Sequence, residues 1–97
     1  MPYIKQELRD AVDDDIDVLV AKLREFDDED IEGIMNYVMT TLLCKRFKPQ
    51  ESWRYKWINR AVGVLECVKL EFYSRLARIY EDGAIRKNGD ISVYKEL

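Results

Sequence analysis

The feature that most constrains the fold is a run of about 30 residues, starting near Glu51 or Ser52 and ending before Gly83, in which apolar residues recur every three or four positions. That spacing is typical of one face of an α-helix. The face comprises Ile58, Val62, Leu65, Val68, Phe72, Leu76 and Ile79. At 1.5 Å per residue such a helix would reach about 45 Å, whereas a compact chain of this length is about 25–30 Å across. We expect the helix to bend, to protrude or to pack against another subunit.

The middle of this helix, residues 61–73, is apolar on more than one face. A helix of that kind is normally surrounded by neighbours. The rest of the chain provides only two partner helices, which would cover it poorly. The pattern therefore predicts a homodimer or a higher homo-oligomer.

Two acidic runs predict the starts of two earlier helices, because Asp accepts hydrogen bonds from free N–H groups and favours the positive end of the helix dipole. The run at 13–15 opens a helix over about 13–26, and the run at 27–30 opens one over about 29–47. Pro49 disfavours helical geometry at Lys48 and should end the second helix. Gly83 is expected to end the third, which covers about 52–82.

The predicted fold class is all-α: a small bundle of these three main helices, with a short helical turn within residues 2–12 and an extended tail around 91–94, in a single helical domain over 1–97. No segment has the apolar length of a membrane span or a signal peptide, so a cytoplasmic protein with no membrane partner is expected. Cys44 and Cys67 lie in helical segments and are expected to be reduced thiols.

Charge is unevenly distributed along the chain. Residues 1–32 carry twelve acidic and four basic side chains, a net charge of −8, and residues 33–97 carry seven acidic and twelve basic ones, a net charge of +5. We interpret this as an acidic first third that lies over the basic middle of the same molecule or of a sister subunit, where complementary charge fixes orientation.

Small and polar residues share helical faces that should be inside. In the second helix Gly33, Asn36, Tyr37 and Thr40 follow helical spacing, and in the third Asn59, Gly63, Glu66, Tyr73 and Tyr80 do so. Two interpretations remain open: a ligand pocket between helices, or polar groups that only set helix pairing. The predicted ligand-binding residues are Asn36, Tyr37, Thr40, Asn59, Glu66 and Tyr73.

Carboxylates on the third helix raise the alternative of a Mg²⁺-dependent nucleotide hydrolase, with Glu66, Glu71, Glu81 and Asp82 as ligands and Lys69 or Arg75 near phosphate. The spacing of Glu66 and Glu71 argues against it, because residues five apart on a helix point about 140° away from each other. With no histidine in the chain, Ser-His and Cys-His nucleophile systems are excluded. No catalytic residue, metal site or cofactor is predicted.

A basic and aromatic segment spans residues 45–60. Its six cations are Lys45, Arg46, Lys48, Arg54, Lys56 and Arg60, and its four aromatics are Phe47, Trp53, Tyr55 and Trp57. This composition is typical of surfaces that bind nucleic acid or phosphate. The alternative, which we prefer, is that the two tryptophans anchor the start of the third helix while the cations remain in solvent.

Several strings together resemble a small uncharacterised family of about this length, encoded mainly by phages, prophages and gut bacteria. They are Met1-Pro2-Tyr3-Ile4, Gly33 with Asn36-Tyr37, the helix string from Gly63 to Tyr73, and Tyr80-Glu81-Asp82 through Asn88-Gly89-Asp90. The resemblance covers nearly the whole chain but implies no activity. It implies a source context, and with it a location in the host cytoplasm.

The sequence therefore favours a non-enzymatic binding or interaction protein that forms homo-oligomers and sequesters a small molecule or a host factor. A metal-dependent hydrolase and a nucleic-acid-binding module are the alternatives.

Overall fold

The structure of the protein is a computed structural model, described over residues 1–48 and 52–97. Within these ranges the chain is all-α, with no strand. The elements are α1 (Gln6–Leu23), α2 (Asp28–Phe47), α3 (Tyr55–Phe72), a π-helical segment (Tyr73–Ala77), α4 (Arg78–Asn88) and the single-turn α5 (Ser92–Lys95). The predicted fold class is thus confirmed.

The chain divides into two units. The first is Pro2–Val62 and contains α1, α2 and the start of α3. The second consists of Gly63–Leu97 with Met1, and contains the rest of α3, the π-helical segment, α4 and α5.

The first helix begins earlier than its sequence predicts. Helix α1 starts at Gln6, with Lys5 as the residue before it, and the Asp13–Asp15 run lies in its middle instead of capping it. Leu8 and Val12 continue the apolar period of the later residues, so that the short turn and the predicted helix are one element. Aspartates occur both at helix starts and on exposed helix sides, so this acidic run did not by itself locate the start of α1.

Helix α2 matches its predicted bounds to within one residue. Asp28, Glu29 and Asp30 occupy its first turn, where their negative charges interact favourably with the positive end of the helix dipole. Lys48 leaves the helix with φ −60° and ψ 120°, the extended geometry expected of a residue that precedes proline. Both ends are therefore set by local sequence.

The predicted end of the third helix was wrong. α3, the π-helical segment and α4 follow one another without a break, and Gly83 lies inside α4. The helix ends at Asn88, after which Gly89 takes φ 85° and donates its N–H to the carbonyl of Ile85. Gly89 is the residue in the conformation that only glycine adopts readily, so it, and not Gly83, stops the helix.

The π-helical segment was not predicted. The N–H of Arg78 donates to the carbonyl of Tyr73, five residues earlier, which widens one turn and accommodates one extra residue. Because each residue of an α-helix turns by about 100°, the residues that follow are displaced by roughly that angle from the phase of α3. Ile79 thus leaves the apolar stripe that Leu65, Val68 and Phe72 begin.

The C-terminal tail was also predicted wrongly. Ser92–Lys95 forms one helical turn instead of an extended segment. Asp90 helps to start it, because its Oδ1 accepts a hydrogen bond from the N–H of Ile91 at 2.8 Å. Of the predicted turn at residues 88–90, Asn88 is the last residue of α4, and Gly89 and Asp90 lie in the short connection to α5.

No described residue of either unit is buried. The best-covered apolar side chains are only half-buried; in the first unit they include Leu19 and Leu23 of α1 and Ile31, Ile34 and Val38 of α2. The apolar faces predicted to be inside are largely exposed: Ile16 is 51% and Phe72 is 65% exposed. No helix among the described residues is long and apolar enough to cross a membrane.

Candidate functional site

The polar stripe of α2 lies at the surface of the first unit. The Thr40 hydroxyl donates to Asn36 Oδ1 at 3.2 Å, one helical turn away. Tyr37 is 72% exposed. The structure therefore brings Asn36 and Thr40 together and leaves the Tyr37 ring accessible to a ligand or a partner.

The remaining predicted ligand-binding residues lie along the third helix. Asn59 is exposed in the first unit, and Tyr73 is 52% exposed at the start of the π-helical segment. Glu66 Oε1 lies 3.3 Å from Lys69 Nζ, one turn further along α3. The displacement after the π-helical segment moves Tyr80 off the face that carries Glu66 and Tyr73, so the predicted polar stripe ends at Tyr73.

The glycines of the two polar stripes were expected to allow close helix approach. A Cβ atom placed on Gly33 or Gly63 would meet nothing within 4 Å. Among the described residues, no other helix therefore packs closely against the backbone at these two glycines.

Two of the four carboxylates of the hydrolase alternative are paired with basic side chains. Asp82 Oδ1 accepts from Arg78 Nε at 3.0 Å and lies 2.7 Å from Arg78 Nη2. Glu66 is paired with Lys69. Over the ranges that the structure covers, no three His, Cys, Asp or Glu residues are grouped so that they could hold a metal ion. The hydrolase alternative gains no support from these side chains.

We define a basic-aromatic surface by the six cations of residues 45–60 together with Phe47 and Trp57. It lies at the end of α2 and around the start of α3. The Arg60 guanidinium lies 4.9 Å from the centroid of the Trp57 ring and 5.7 Å from that of Phe47. Lys56 Nζ lies 5.0 Å from the Trp57 centroid. At exposed sites such cation–π contacts contribute about 0.5–1 kcal/mol each. They hold two cations of this surface over its aromatic rings.

The two tryptophans behave differently. Trp57 is half-buried in α3, consistent with the anchoring interpretation. Trp53 precedes the helix and is 42% exposed. Lys45, Arg46, Lys48 and Arg54 are exposed and form no ion pair with a described acidic residue.

An acidic face on α1 was missed because the helix was predicted to begin too late. Asp10, Asp13, Asp14 and Asp17 follow one another at i, i+3, i+4 and i+7, which places them within about 100° of the helix circumference. Leu8, Val12 and Leu19 lie on the opposite side. The same spacing rule that finds apolar faces would have found this acidic face, had α1 been extended to Gln6.

Comparison with protein families gives a match over residues 1–91 to a domain of unknown function, DUF6899. The chain belongs to the DUF6899 family. Membership confirms the resemblance to an uncharacterised family, and the match spans all three long helices of the DUF6899 domain. No curated protein and no solved structure matches the chain.

Proposed function

We propose that this DUF6899 domain is a non-enzymatic interaction protein that works as a homo-oligomer, in which each copy completes the apolar core of the other. The observation that carries the proposal is that neither unit contains a buried residue among those described, although apolar residues line its helices.

Folding thermodynamics supports this proposal. Burying apolar surface is the dominant favourable term in folding, at about 25 cal/mol per Å², and it must offset the conformational entropy of an ordered chain. Helices whose apolar faces remain exposed gain little of that term. Exposed apolar area of this extent marks a surface that binds another protein.

The third helix is the main candidate for the shared core. Val62, Val68 and Phe72 are between 53% and 65% exposed, and they lie on the stripe that predicts an oligomer from sequence alone. A second copy would cover them with an identical stripe, as in a two-fold interface where the same patch of both subunits is used.

Sedimentation equilibrium over a hundredfold range of protein concentration tests the proposal. The expected result is a mass of twice 11.6 kDa or a higher multiple at the upper concentrations, with dissociation on dilution coupled to loss of helical circular dichroism. A helical monomer that unfolds cooperatively at every concentration would contradict it.

The same association would cover the polar residues and form the binding site. We propose that Asn36, Tyr37, Thr40, Asn59, Glu66 and Tyr73 line a pocket for a small molecule or contact a host factor. The exposure of Tyr37 and the pairing of Asn36 with Thr40 support a set of polar groups that is already ordered on α2. Such pockets between helices usually contain a few placed polar groups among apolar ones.

A thermal-shift screen of nucleotides and small metabolites tests this site. At least one compound should raise the melting temperature of the wild-type protein, and Tyr37→Phe and Glu66→Gln should each reduce that shift. Tyr55→Phe is the matched control, because Tyr55 is 79% exposed and lies outside the predicted site. A screen with no shift, or equal shifts for all variants, counts against the pocket.

A cytoplasmic location, in the host if the protein is phage-encoded, completes the proposal. Cys44 and Cys67 are both free and exposed, the state expected in a reducing compartment.

A further inference from the structure

The acidic face of α1 has no basic partner within its own unit. Asp10 accepts a hydrogen bond from Gln6 Nε2 at 2.8 Å, and neither it nor Asp13, Asp14 or Asp17 forms an ion pair with a described cation. The face is opposite the apolar side of α1. One helix can therefore place its apolar side in a core and present its carboxylates to a further surface at the same time.

The basic-aromatic surface is complementary to this face in charge. Its cations lie at the end of α2 and around the start of α3, in the same unit as α1, yet none of them pairs with an α1 carboxylate. Lys56 and Arg60 are held over aromatic rings, which limits the side-chain entropy that binding must remove. A surface with six cations, two of them positioned in this way, favours a partner that carries several carboxylates in a row.

Nucleic acid is a poorer match for this surface. Single strands bind through bases that stack on aromatic faces, and two of the four aromatic rings of this segment, Phe47 and Trp57, already have a cation over them, which leaves Trp53 and Tyr55 for stacking. A polyanion would also meet the −8 net charge of residues 1–32. An acidic helix avoids the first difficulty, because it needs only salt bridges at the rim of the surface.

We propose that the basic-aromatic surface of one copy binds the acidic face of α1 of a second copy. The inference rests on the proposed homo-oligomer and specifies how its copies are oriented. In a two-fold dimer the contact forms twice, since each copy provides one acidic face and one basic-aromatic surface. Electrostatic complementarity of this kind sets register and specificity, and it weakens as salt is added.

A pair of charge reversals tests the contact in the full chain. The acidic-face variant is Asp14→Lys with Asp17→Lys. The basic-surface variant is Arg54→Glu with Lys56→Glu, two positions at the N-terminal end of α3, where a glutamate does not oppose the helix dipole. The matched control is Glu81→Lys with Glu96→Lys, two exposed positions, which changes the net charge as much as the acidic-face variant but leaves the acidic face intact.

Self-association is measured by sedimentation equilibrium at low and at moderate salt. Each reversal alone should raise the dissociation constant of self-association about tenfold at low salt. An equimolar mixture of the two variants should recover most of the lost affinity, because opposite charges then meet again. The control should stay within about twofold of wild type.

The outcomes separate this inference from the proposed function. If both reversals associate as the wild type does, the orientation is wrong while the oligomer stands. If the wild type itself is monomeric, both fail. Reversals that lower stability with no recovery on mixing indicate a contact within one chain and overturn the inference. Tight binding of a fluorescent oligothymidine that the basic-surface variant abolishes would assign the surface to nucleic acid instead.

Discussion

At the scale of single residues, several polar side chains pair with another side chain one helical turn away. Thr40 bonds to Asn36, Glu66 pairs with Lys69, and Asp82 pairs with Arg78. Such pairs at i, i+3 or i, i+4 stabilise a helix by about 0.2–0.5 kcal/mol each at an exposed surface. They keep the side chains ordered before any partner arrives.

The Thr40–Asn36 hydrogen bond gives a prediction at this scale. In the proposed oligomer the pair is covered, so Thr40→Val leaves a buried amide oxygen without its donor and should lower the free energy of unfolding by about 1–3 kcal/mol. Urea unfolding at fixed protein concentration measures the change. Thr41→Val, at the neighbouring position, is the control and should change it by less than about 0.5 kcal/mol. A loss for Thr40→Val as small as that of the control would indicate that the pair remains in water.

At the scale of elements, the helices could be predicted wherever local sequence decides their ends. The acidic residues from Asp27 and the proline at 49 delimit α2 almost to the residue. The Asp13–Asp15 run misleads because aspartates suit both a helix start and an exposed helix side. Gly83 misleads because a glycine stops a helix only where the backbone takes a positive φ, and that conformation occurs at Gly89.

Alanine substitutions at these two glycines test where the long helix ends. Gly83→Ala should stabilise the protein by about 1 kcal/mol, because alanine favours a helix interior and its Cβ would meet only Arg86 Nη2, at 3.9 Å. Gly89→Ala should destabilise it by about 1–3 kcal/mol, because φ 85° with ψ 154° is a region that only glycine occupies readily.

Thermal and urea unfolding of both variants, monitored by circular dichroism, provide the measurement. Opposite signs confirm that the helix passes through residue 83 and stops at 89. A loss of stability for Gly83→Ala would instead mean that another backbone packs against this glycine.

At the scale of the whole molecule, the sequence predicts that α3 needs more neighbours than one chain provides; this stays a prediction, and the sequence does not indicate which surfaces would supply them. The apolar stripe of α3 is a local pattern and can be read residue by residue. Which surface covers this stripe depends on contacts between residues that are far apart in the chain or in different chains, and the periodicity of one helix contains no information on such contacts. The π-helical segment could not be predicted either, because a single extra residue in one turn leaves no distinct spacing of apolar residues in the sequence.

If the core of this protein is completed by a second copy, its stability must depend on protein concentration. A tenfold change in concentration shifts the free energy of a two-state dimer by about 1.4 kcal/mol, which for a dimer of this size corresponds to a change in melting temperature of about 3–6 °C. Differential scanning calorimetry over a hundredfold range should therefore show the melting temperature rise in two such steps. Phe72→Ser, on the stripe proposed to be shared, should lower the melting temperature most at high concentration, where wild-type dimers predominate. A melting temperature that stays constant to within 1–2 °C would mean that each chain covers its apolar faces by itself.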